Sequence, residues 1–302
     1  MVANIKHLDL NLLRVFDTLM EEQNVSRAAE KLAVTQPAVS GMLTRLRHSL
    51  DDQLFVRSQH GIVPTVRANA LAGPIRRLLQ ELDSVLEPET FDPATSDVTV
   101  SIAATDYSLK AIVEPFLIAL KPLAPAIKVS VRWINEAELF EQMEKGLVDI
   151  ALTTPESSPA ELHAKTLFDE SYVCVLRDQH PMNTGKPLTL DQFCTLDHAI
   201  VSYVGGAFHG VTDQALQALD KKRRVTLSVP SFLSLVDIVK TSDLCAVIPK
   251  RLLNNETGIT PIHIPLEITG FTKIMVWHER THQSAAHQWL RELIAKTCEL
   301  NH

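Results

Sequence analysis

Two groups of residues have types and spacings that could do chemistry, and the first lies near the end of the chain. Residues 278–282 are His-Glu-Arg-Thr-His, which matches the zinc-binding pattern of metalloproteases. Catalytic zinc needs both histidines on one helix face, with the glutamate beside a metal-bound water. Residues 273–277 just before are typical of a strand, and a strand end does not present two imidazoles on one face. A zinc-dependent hydrolase using His278, Glu279 and His282 is therefore only the alternative function, and we predict no metal site and no catalytic residue.

The second group lies between residues 25 and 67, where the pattern predicts two short helices, a tight connection and a hairpin wing bounded by turns at 51–52 and 60–61. This arrangement brings one end of the later of these two helices, which is the third helix of the chain, to where it could reach DNA base edges. The predicted DNA contacts lie on these two helices and on the wing. They are Ser26, Arg27, Thr35, Gln36, Pro37, Ser40, Thr44, Arg47, Arg57 and Thr65.

Three helices must position these residues. An apolar stripe at helical spacing predicts the first helix over residues 9–22. Ser26 is a suitable N-cap for the second helix, and Thr35 for the third, which tolerates Pro37 in its first turn. The polar face of the third helix then points away from the predicted core and is available to a partner.

Charge gives this interpretation little support. The net charge is −7, which on its own argues against nucleic acid as a partner. Residues 35–67 contain four arginines and two aspartates, so the electrostatic attraction to DNA is weak. The prediction of DNA binding therefore depends on the geometry of the helices.

Residues 66–87 predict a longer helix whose apolar residues are spaced four, three, four and three apart. This spacing favours pairing with the same helix of a second copy, and packing on its own domain is the alternative. Gly73 and Pro74 should kink the helix near its start. The apolar residues of this seam are Leu71, Ile75, Leu78, Leu82 and Val85.

Beyond a proline-containing linker at residues 87–97, strands alternate with helices, which predicts parallel βαβ units in two α/β lobes with a cleft between them. The strands are predicted at residues 98–104, 128–134, 149–153, 172–176, 199–202, 225–229, 245–248 and 273–277.

Ligands of such modules sit at the carboxyl ends of strands, where helix N-termini point N–H groups at the cleft. Helix N-termini favour a carboxylate, but Asp106, Glu136 and Glu170 bring negative charge to the same region and argue against an acidic ligand. The predicted ligand contacts are Thr105, Asp106, Tyr107, Asn135, Thr153, Thr154, Tyr203, Gly205, His209, Ser231 and Phe232.

Other features exclude classes of protein. The first residues lack the apolar core of a signal peptide, which disfavours an exported solute-binding module without a DNA role. The apolar stretch at residues 111–129 is interrupted by charges and prolines, so we expect no membrane partner. The four cysteines match no metal spacing and indicate a reduced, cytoplasmic protein.

The N-terminal part carries a specific series of motifs, namely Val25-Ser26, Ala28-Ala29, Leu32, Thr35-Gln36-Pro37-Ala38-Val39-Ser40, Leu54-Phe55, Arg57 and Pro64-Thr65. Over more than forty positions, these motifs resemble those of LysR-type transcription regulators. The C-terminal part resembles the branch that holds nodulation and aromatic-catabolism regulators, at Ala104-Thr105-Asp106, Tyr172-Val173-Cys174, His180-Pro181 and Trp277-His278.

This resemblance implies a winged helix-turn-helix, a linker helix that dimerises it, and a two-lobed effector domain related to periplasmic binding proteins. By position, Gln36, Pro37 and Ser40 match residues that touch bases or phosphates, and Arg57 and Thr65 match wing and backbone contacts. Many relatives carry arginine where this chain has Gly41, so its operator would be read more through DNA shape and phosphates.

The resulting prediction is an α/β chain with an all-α winged helix-turn-helix and linker helix followed by a two-lobed effector domain. The expected boundaries are 1–66 for the DNA-binding domain, 67–88 for the linker helix and 89–302 for the effector domain, with lobe I at about 92–163 and 268–302 and lobe II at about 164–267. The expected function is a cytoplasmic, non-enzymatic transcription regulator modulated by a small molecule. It would bind double-stranded DNA as a dimer of dimers, with RNA polymerase as a candidate partner and no cofactor besides an effector of unknown identity.

Overall fold

The computed structural model describes residues 9–59, 61–86, 91–203, 205–254 and 256–300. The chain forms two compact units, Met1–Glu89 and Thr90–His302. None of the helices within the described ranges is long and apolar enough to cross a membrane.

The N-terminal unit contains three short helices, a hairpin and one long helix. Its core is formed by the apolar stripes of the helices together with the residues that enter the hairpin, and Phe16 lies at its centre with no exposed surface. The elements are α1 (Leu10–Glu22), α2 (Val25–Lys31), α3 (Gln36–Leu50), β1 (Phe55–Ser58), β2 (Gly61–Pro64) and α4 (Val66–Leu86).

The N-cap predicted for α2 is wrong. The cap is Asn24, whose side-chain oxygen accepts hydrogen bonds from the backbone N–H groups of Ser26 and Arg27. Asn24 has the extended backbone that an N-cap requires, whereas Ser26 is already helical. Thr35 does cap α3, but its side chain makes no capping hydrogen bond.

The wing follows α3 as predicted. Strands β1 and β2 pair antiparallel, from Phe55 opposite Pro64 to Ser58 opposite Gly61. The ring of Phe55 is buried against that of Phe16 at 5.7 Å between centroids, so the wing is anchored to α1. His60, at the predicted turn, lies outside the described residues.

The apolar seam of helix α4 is partly buried within its own unit and partly exposed. Ile75 is buried in the core of its own unit, and Leu71 packs against that core. Further along the helix, Leu78 is 42% exposed and Val85 is 78% exposed. The first half of the seam is therefore used within the unit, whereas in its second half Leu82 is partly buried and Leu78 and Val85 are exposed in the described part of the chain. The helix continues through Pro74, and its kink there stays a prediction.

The C-terminal unit contains two five-stranded sheets, which confirms the predicted α/β class. The first has the order β4-β3-β5-β12-β6 and the second the order β11-β7-β10-β8-β9. Its strands are β3 (Thr99–Ala104), β4 (Lys128–Trp133), β5 (Ile150–Thr153), β6 (His163–Glu170), β7 (Tyr172–Arg177), β8 (Asp197–Val201), β9 (Arg224–Val229), β10 (Cys245–Pro249), β11 (Ile259–Ile262) and β12 (Phe271–Trp277).

Helices connect the parallel strands of each sheet. After β3, the chain passes through a wide π-helical turn, Leu109–Val113, between two α-helical segments. The helices are α5 (Asp106–Ser108), α6 (Glu114–Leu123), α7 (Leu139–Glu144), α8 (Leu190–Thr195), α9 (Val211–Gln217), α10 (Phe232–Lys240) and α11 (Ala285–Leu300).

The boundary between the lobes differs from the prediction. Strand β6, which the sequence did not predict, pairs antiparallel with β12 and therefore belongs to the first sheet. Lobe I thus extends to Glu170, where the chain crosses to β7. The second crossover, at Gly270, runs directly against the first, because a Cβ atom there would lie 2.0 Å from the carbonyl oxygen of Glu170. Glycine is required at this crossing.

Candidate functional site

The exposed face of α3 presents the polar residues that the sequence singled out. Gln36, Pro37 and Ser40 are exposed. In the described part of the chain, the side chains of Gln36 and Ser40 make no hydrogen bond or ion pair. The inner face of α3 is held in the core by Val39 and Leu46, which are fully buried. The helix therefore keeps an unengaged polar face at its N-terminal half, where a DNA-reading helix carries its base contacts.

Gly41 follows Ser40 on α3, and Arg57 lies on strand β1 of the wing. Gly41 is exposed, and a Cβ atom at this position would meet no atom of the described residues within 4 Å beyond its own helical turn. Packing therefore does not require glycine here. A glycine inside a helix is nevertheless unfavourable by about 0.5–1 kcal/mol relative to alanine. Arg57 is exposed on β1, and no ion pair with another described residue holds its guanidinium.

Two arginines predicted as DNA contacts are engaged within the chain. Arg47 donates from Nε to the carbonyl oxygen of Gln53 and from Nη2 to that of Phe55, both at 2.8 Å. It therefore ties α3 to the start of the wing. Arg27 donates from Nη2 to the carbonyl oxygen of Glu22 at 2.6 Å, which links α2 to the end of α1. Both have structural roles that their positions in sequence did not reveal.

Thr65 also has a structural role. Its hydroxyl donates to Asp52 at 2.8 Å and accepts from the backbone N–H of Ala68 at 3.1 Å, so it caps α4. Hydrogen bonds from the backbone of Leu54 and from Thr65 lower the pKa of Asp52. Thr44 donates to the carbonyl oxygen of Ser40 at 2.9 Å.

In the C-terminal unit, Asp106 joins the two lobes. It is 2% exposed, and its Oδ2 atom accepts hydrogen bonds from the Ser231 hydroxyl at 2.8 Å and from the Leu233 N–H at 3.1 Å. Asp106 follows the first sheet and Ser231 caps α10 of the second lobe. Its other oxygen, Oδ1, is buried with no hydrogen-bond partner among the described residues.

A second connection between the lobes runs through Glu170, which is 5% exposed. Its carboxylate accepts from the Tyr107 hydroxyl and, at 2.8 Å, from the Ser171 N–H. It also lies 3.9 Å from Nε of Arg251 in the second lobe. Removal from water, and then the charge of Glu170, raise the pKa of Tyr107, which stays a neutral donor.

Aromatic rings line the space between these connections. The Tyr107 ring lies edge-on to Phe232 at 6.4 Å and to Phe271 at 5.7 Å between centroids. Tyr203 packs edge-on to Phe232 at 6.1 Å. A pocket of about 220 Å³ is lined by Tyr172, Tyr203 and Phe232 together with residues of β8, β10 and α9. The structure thus brings Asp106, Tyr107, Tyr203, Ser231 and Phe232 together.

The remaining predicted contacts are less enclosed, with one exception. Thr105 caps α5 by accepting from the Ser108 N–H at 3.2 Å. Thr153 is 2% exposed, and its hydroxyl is buried without a partner in the described part of the chain. Thr154 is half-buried at the end of the same strand. The exposed residues of the set are Asn135, Gly205 and His209.

Lys273 is a residue that sequence reasoning missed. It is 4% exposed on β12, and its Nζ atom lies 6.0 Å from the centroid of the Tyr107 ring. Burial lowers the pKa of Lys273 to about 8, while the charge of Glu136 opposes this shift. The clue available in the sequence was a lone lysine in the apolar strand at residues 271–277.

The His-Glu-x-x-His stretch follows directly after β12 and forms a single tight turn at Glu279–Thr281, in agreement with the predicted strand end and turn. His278 accepts from the Arg280 N–H through Nδ1 at 3.2 Å, and His282 accepts from the Trp277 indole through Nδ1 at 3.1 Å. The His282 ring stacks on His163 at 4.1 Å between centroids. Each imidazole thus accepts a hydrogen bond from the turn or from the last residue of β12. Within the described ranges, no group of three or more His, Cys, Asp or Glu side chains is placed to hold a metal ion.

Asp106 allows a direct test of the connection between the lobes. We expect Asp106→Ala to lower the free energy of unfolding of the C-terminal unit by about 1–3 kcal/mol, because two donors lose their acceptor. Asp106→Asn keeps an acceptor oxygen and should lose less. Urea unfolding followed by tryptophan fluorescence reports on this unit alone, and an alanine variant as stable as the wild type would contradict the assignment. The tryptophans are Trp133, Trp277 and Trp289.

Comparisons with protein families agree with this division of the chain. Residues 10–69 match the model of the bacterial regulatory helix-turn-helix proteins of the lysR family. Residues 95–299 match the model of the LysR substrate binding domain. The two matches together cover both compact units.

Individual relatives match over nearly the whole length. The chain is 35% identical over 297 residues to the HTH-type transcriptional activator NagR of Ralstonia sp, covering 97% of this chain and 98% of that protein. It is 31% identical over 296 residues to nodulation protein D 1 of Sinorhizobium fredii, covering 95% of this chain and 90% of that protein.

Among solved structures, a probable transcriptional regulator of Pseudomonas aeruginosa aligns with a TM-score of 0.59 and 32% identity, covering 96% of this chain and 97% of that one. The regulatory interpretation is therefore supported over the hydrolase and the solute-binding module, and the nodulation and aromatic-catabolism branch is confirmed. The chain belongs to the LysR family, whose members bind DNA and form oligomers, and it is a transcription regulator with an effector-binding domain rather than an enzyme.

Proposed function

We propose that the N-terminal half of α3 reads the operator in the major groove, with Gln36 and Ser40 as base contacts and Pro37 against the sugar-phosphate backbone. The observation that carries this proposal is the exposed polar face of α3, where the side chains of Gln36 and Ser40 have no hydrogen-bond partner among the described residues. Thr35 and Thr44 extend the face at its two ends. Ser26 and the guanidinium groups of Arg27 and Arg47 approach phosphates only at the edge of the interface.

Arg57 is proposed as the phosphate contact of the wing. It is exposed on β1, two residues after Phe55, whose buried ring fixes the strand to the core. A cation on a fixed strand beside a helix in the major groove lies where the phosphate backbone passes. Thr65, which already caps α4, would add a contact to the DNA backbone at the end of the wing.

Selection from a random DNA pool tests this proposal. The full chain is incubated with random duplexes, bound DNA is recovered, and several rounds of selection are sequenced. Reading by paired copies of α3 predicts enrichment of an inverted repeat with half-sites spaced by about one helical turn or a multiple of it. Recovery of DNA with no common sequence would contradict sequence-specific reading.

We further propose that the effector binds between the lobes of residues 89–302, with lobe I running to Glu170 rather than to residue 163. Two buried oxygen atoms at strand ends, Asp106 Oδ1 and Thr153 Oγ1, have no partner among the described residues, and a bound molecule would satisfy them. The other proposed contacts surround these atoms or lie on the nearby loops. They are Thr105, Tyr107, Asn135, Thr154, Tyr203, Gly205, His209, Ser231 and Phe232.

The assembly proposed for these parts is a dimer of dimers that acts in the cytoplasm and contacts RNA polymerase at promoters. Residues 1–66 form its DNA-binding domain, and residues 67–88 form the helix that pairs two chains. The support for pairing is the exposure of the seam residues Leu78 and Val85 in the second half of α4. Apolar side chains at seam positions of a helix are stabilised by the matching face of a second helix.

A charge in this seam should block pairing. In the fragment 1–90, Leu78→Asp would bury an unpaired carboxylate between the helices, which costs several kcal/mol in an apolar contact. Sedimentation should find a dimer for the wild-type fragment and a monomer for Leu78→Asp. Gln80→Asp, on the opposite and exposed face, adds the same charge and should stay dimeric. A Leu78→Asp fragment that is still a dimer would place the pairing surface elsewhere.

A further inference from the structure

Leu54, at the entrance to the wing, has a backbone conformation that is unfavourable for its residue type. Its φ is +58°, in the left-handed region, and its side chain is fully buried in the core of the N-terminal unit. A bulky residue with a positive φ is rare, and the conformation persists only where the surrounding structure enforces it. Leu54 directly precedes β1, so the groups that enforce this conformation also set the direction in which the wing leaves α3.

The backbone around Leu54 is held by hydrogen bonds from three sides. Oδ1 of Asp52 accepts from the Leu54 N–H at 2.6 Å, and the Leu54 carbonyl oxygen accepts from the Thr65 N–H at 2.8 Å. Arg47 donates to the carbonyl groups immediately before and after Leu54. The same Oδ1 atom of Asp52 also accepts from the Thr65 hydroxyl at 2.8 Å. Asp52 therefore joins the residue before β1 to the residue after β2 and closes the base of the wing.

The tip of the wing is also held. The Ile62 N–H donates to the carbonyl oxygen of Gln23, the C-cap of α1, at 3.0 Å. Gly61 lies so close to this carbonyl that a Cβ atom there would be 2.5 Å from its oxygen. Ile62 is directly opposite Arg57 in the strand pair. The wing is thus fixed at both ends, and Arg57 lies on the stretch between them.

We infer that Asp52 is a positioning residue for DNA binding: its carboxylate fixes the base of the wing and thereby holds Arg57 where a phosphate passes. The inference rests on the proposed function, because it requires Arg57 to be the phosphate contact of the wing. Asp52 acts through Arg57 and makes no contact with DNA itself.

Charge and positioning by Asp52 have opposite effects on DNA binding. Hydrogen bonds from the Leu54 backbone and from Thr65 lower the pKa of Asp52, so this side chain is an anion at neutral pH. An anion in a DNA-binding unit repels the phosphate backbone, and its removal should strengthen binding if charge alone matters. Loss of a positioned arginine should weaken binding instead.

The test compares Asp52→Ala with Asp52→Asn in the full chain, on the selected duplex and on a random duplex. Asp52→Ala should weaken binding to both by about tenfold, as for one lost charge-assisted contact. Asp52→Asn removes the same charge but keeps an oxygen that can accept both hydrogen bonds, so it should bind at least as tightly as the wild type. Wild-type or tighter binding by Asp52→Ala, or equal weakening by the two variants, would overturn the inference.

Salt titrations show whether Asp52 acts through Arg57. Arg57→Ala should lower the salt slope by about one, and Asp52→Ala should lower it in the same direction. Asp52→Ala added to Arg57→Ala should cause no further loss of slope or affinity. An equal loss with and without Arg57, as general loosening of the unit would cause, would overturn the inference. Circular dichroism checks the fold, and should Asp52→Ala not fold, Asp52→Leu, of similar volume and without an acceptor, is measured in the same way.

The same measurements distinguish this inference from the proposed function. If the wild type shows no sequence-specific binding, or if Arg57→Ala leaves the salt slope unchanged, the proposed function fails and the inference fails with it. If Arg57→Ala lowers the slope and Asp52→Ala does not weaken binding, only the positioning role of Asp52 fails.

Discussion

Replacing Phe16 with alanine should unfold the N-terminal unit and leave the C-terminal unit folded. Phe16 has no exposed surface, and its ring packs on Phe55 at 5.7 Å, which joins α1 to the wing. Truncating a buried phenylalanine costs about 3–5 kcal/mol, which is a large part of the stability of a small domain. DNA binding should be lost with the fold of this unit.

Two spectroscopic signals separate the units. All tryptophans lie beyond residue 90, so tryptophan fluorescence follows the C-terminal unit, while far-ultraviolet circular dichroism follows the helices of both. Phe16→Ala should lower the helical signal and leave the fluorescence transition unchanged. Phe16→Leu, which conserves most of the volume, should cost less than about 1.5 kcal/mol and keep DNA binding. Unchanged DNA binding in Phe16→Ala would contradict the role of this contact.

The second large effect is expected at the DNA-reading face. Gln36→Ala combined with Ser40→Ala should reduce the preference for the selected operator over random DNA, because each lost bidentate base contact costs about 1–3 kcal/mol of discrimination. Arg57→Ala should instead weaken binding to both duplexes alike and lower the salt slope by about one, as expected for one lost phosphate contact.

Salt titrations of binding to the operator and to a random duplex measure both quantities. Gln80→Ala, an exposed position on α4 away from the proposed interface, is the matched control and should change neither. Undiminished discrimination in the double variant would move recognition away from α3. A loss of discrimination in Arg57→Ala equal to that of the double variant would make Arg57 a base contact.

The helices and the wing of the N-terminal unit could be predicted because their signals are local. Apolar stripes, the cap at Thr35 and the turn residues lie within a few positions of the elements they define. The N-cap of α2 was assigned to Ser26 because serine and asparagine have similar preferences there, and the sequence does not say which residue takes the extended backbone.

The roles of Arg47 and Thr65 could not be predicted for a different reason. A polar side chain on an exposed helix can equally serve a partner or the backbone of its own chain. Arg47 reaches the carbonyl groups of Gln53 and Phe55, and this depends on how the wing folds back on α3. A family resemblance indicates which positions of the sequence correspond to DNA contacts, but it does not show which of these side chains bond within their own chain.

In the C-terminal unit, the buried parallel strands were predictable and the antiparallel strand β6 was not. Its sequence, His-Ala-Lys-Thr-Leu-Phe-Asp-Glu, has no regular alternation, because it lies at the edge of the sheet and is buried mainly at its end. The links through Asp106 and Glu170 join residues 125 and 63 positions apart, respectively, which sequence spacing does not reveal.

Fluorescence anisotropy of the full chain on the selected operator, and on a duplex of the same composition in scrambled order, tests the central claim most directly. Sequence-specific reading by α3 predicts binding to the operator at least about a thousandfold tighter than to the scrambled duplex at physiological salt, and a reduced ratio for the Gln36→Ala, Ser40→Ala variant. Equal affinity for the two duplexes, or a ratio unaffected by the double substitution, would contradict it.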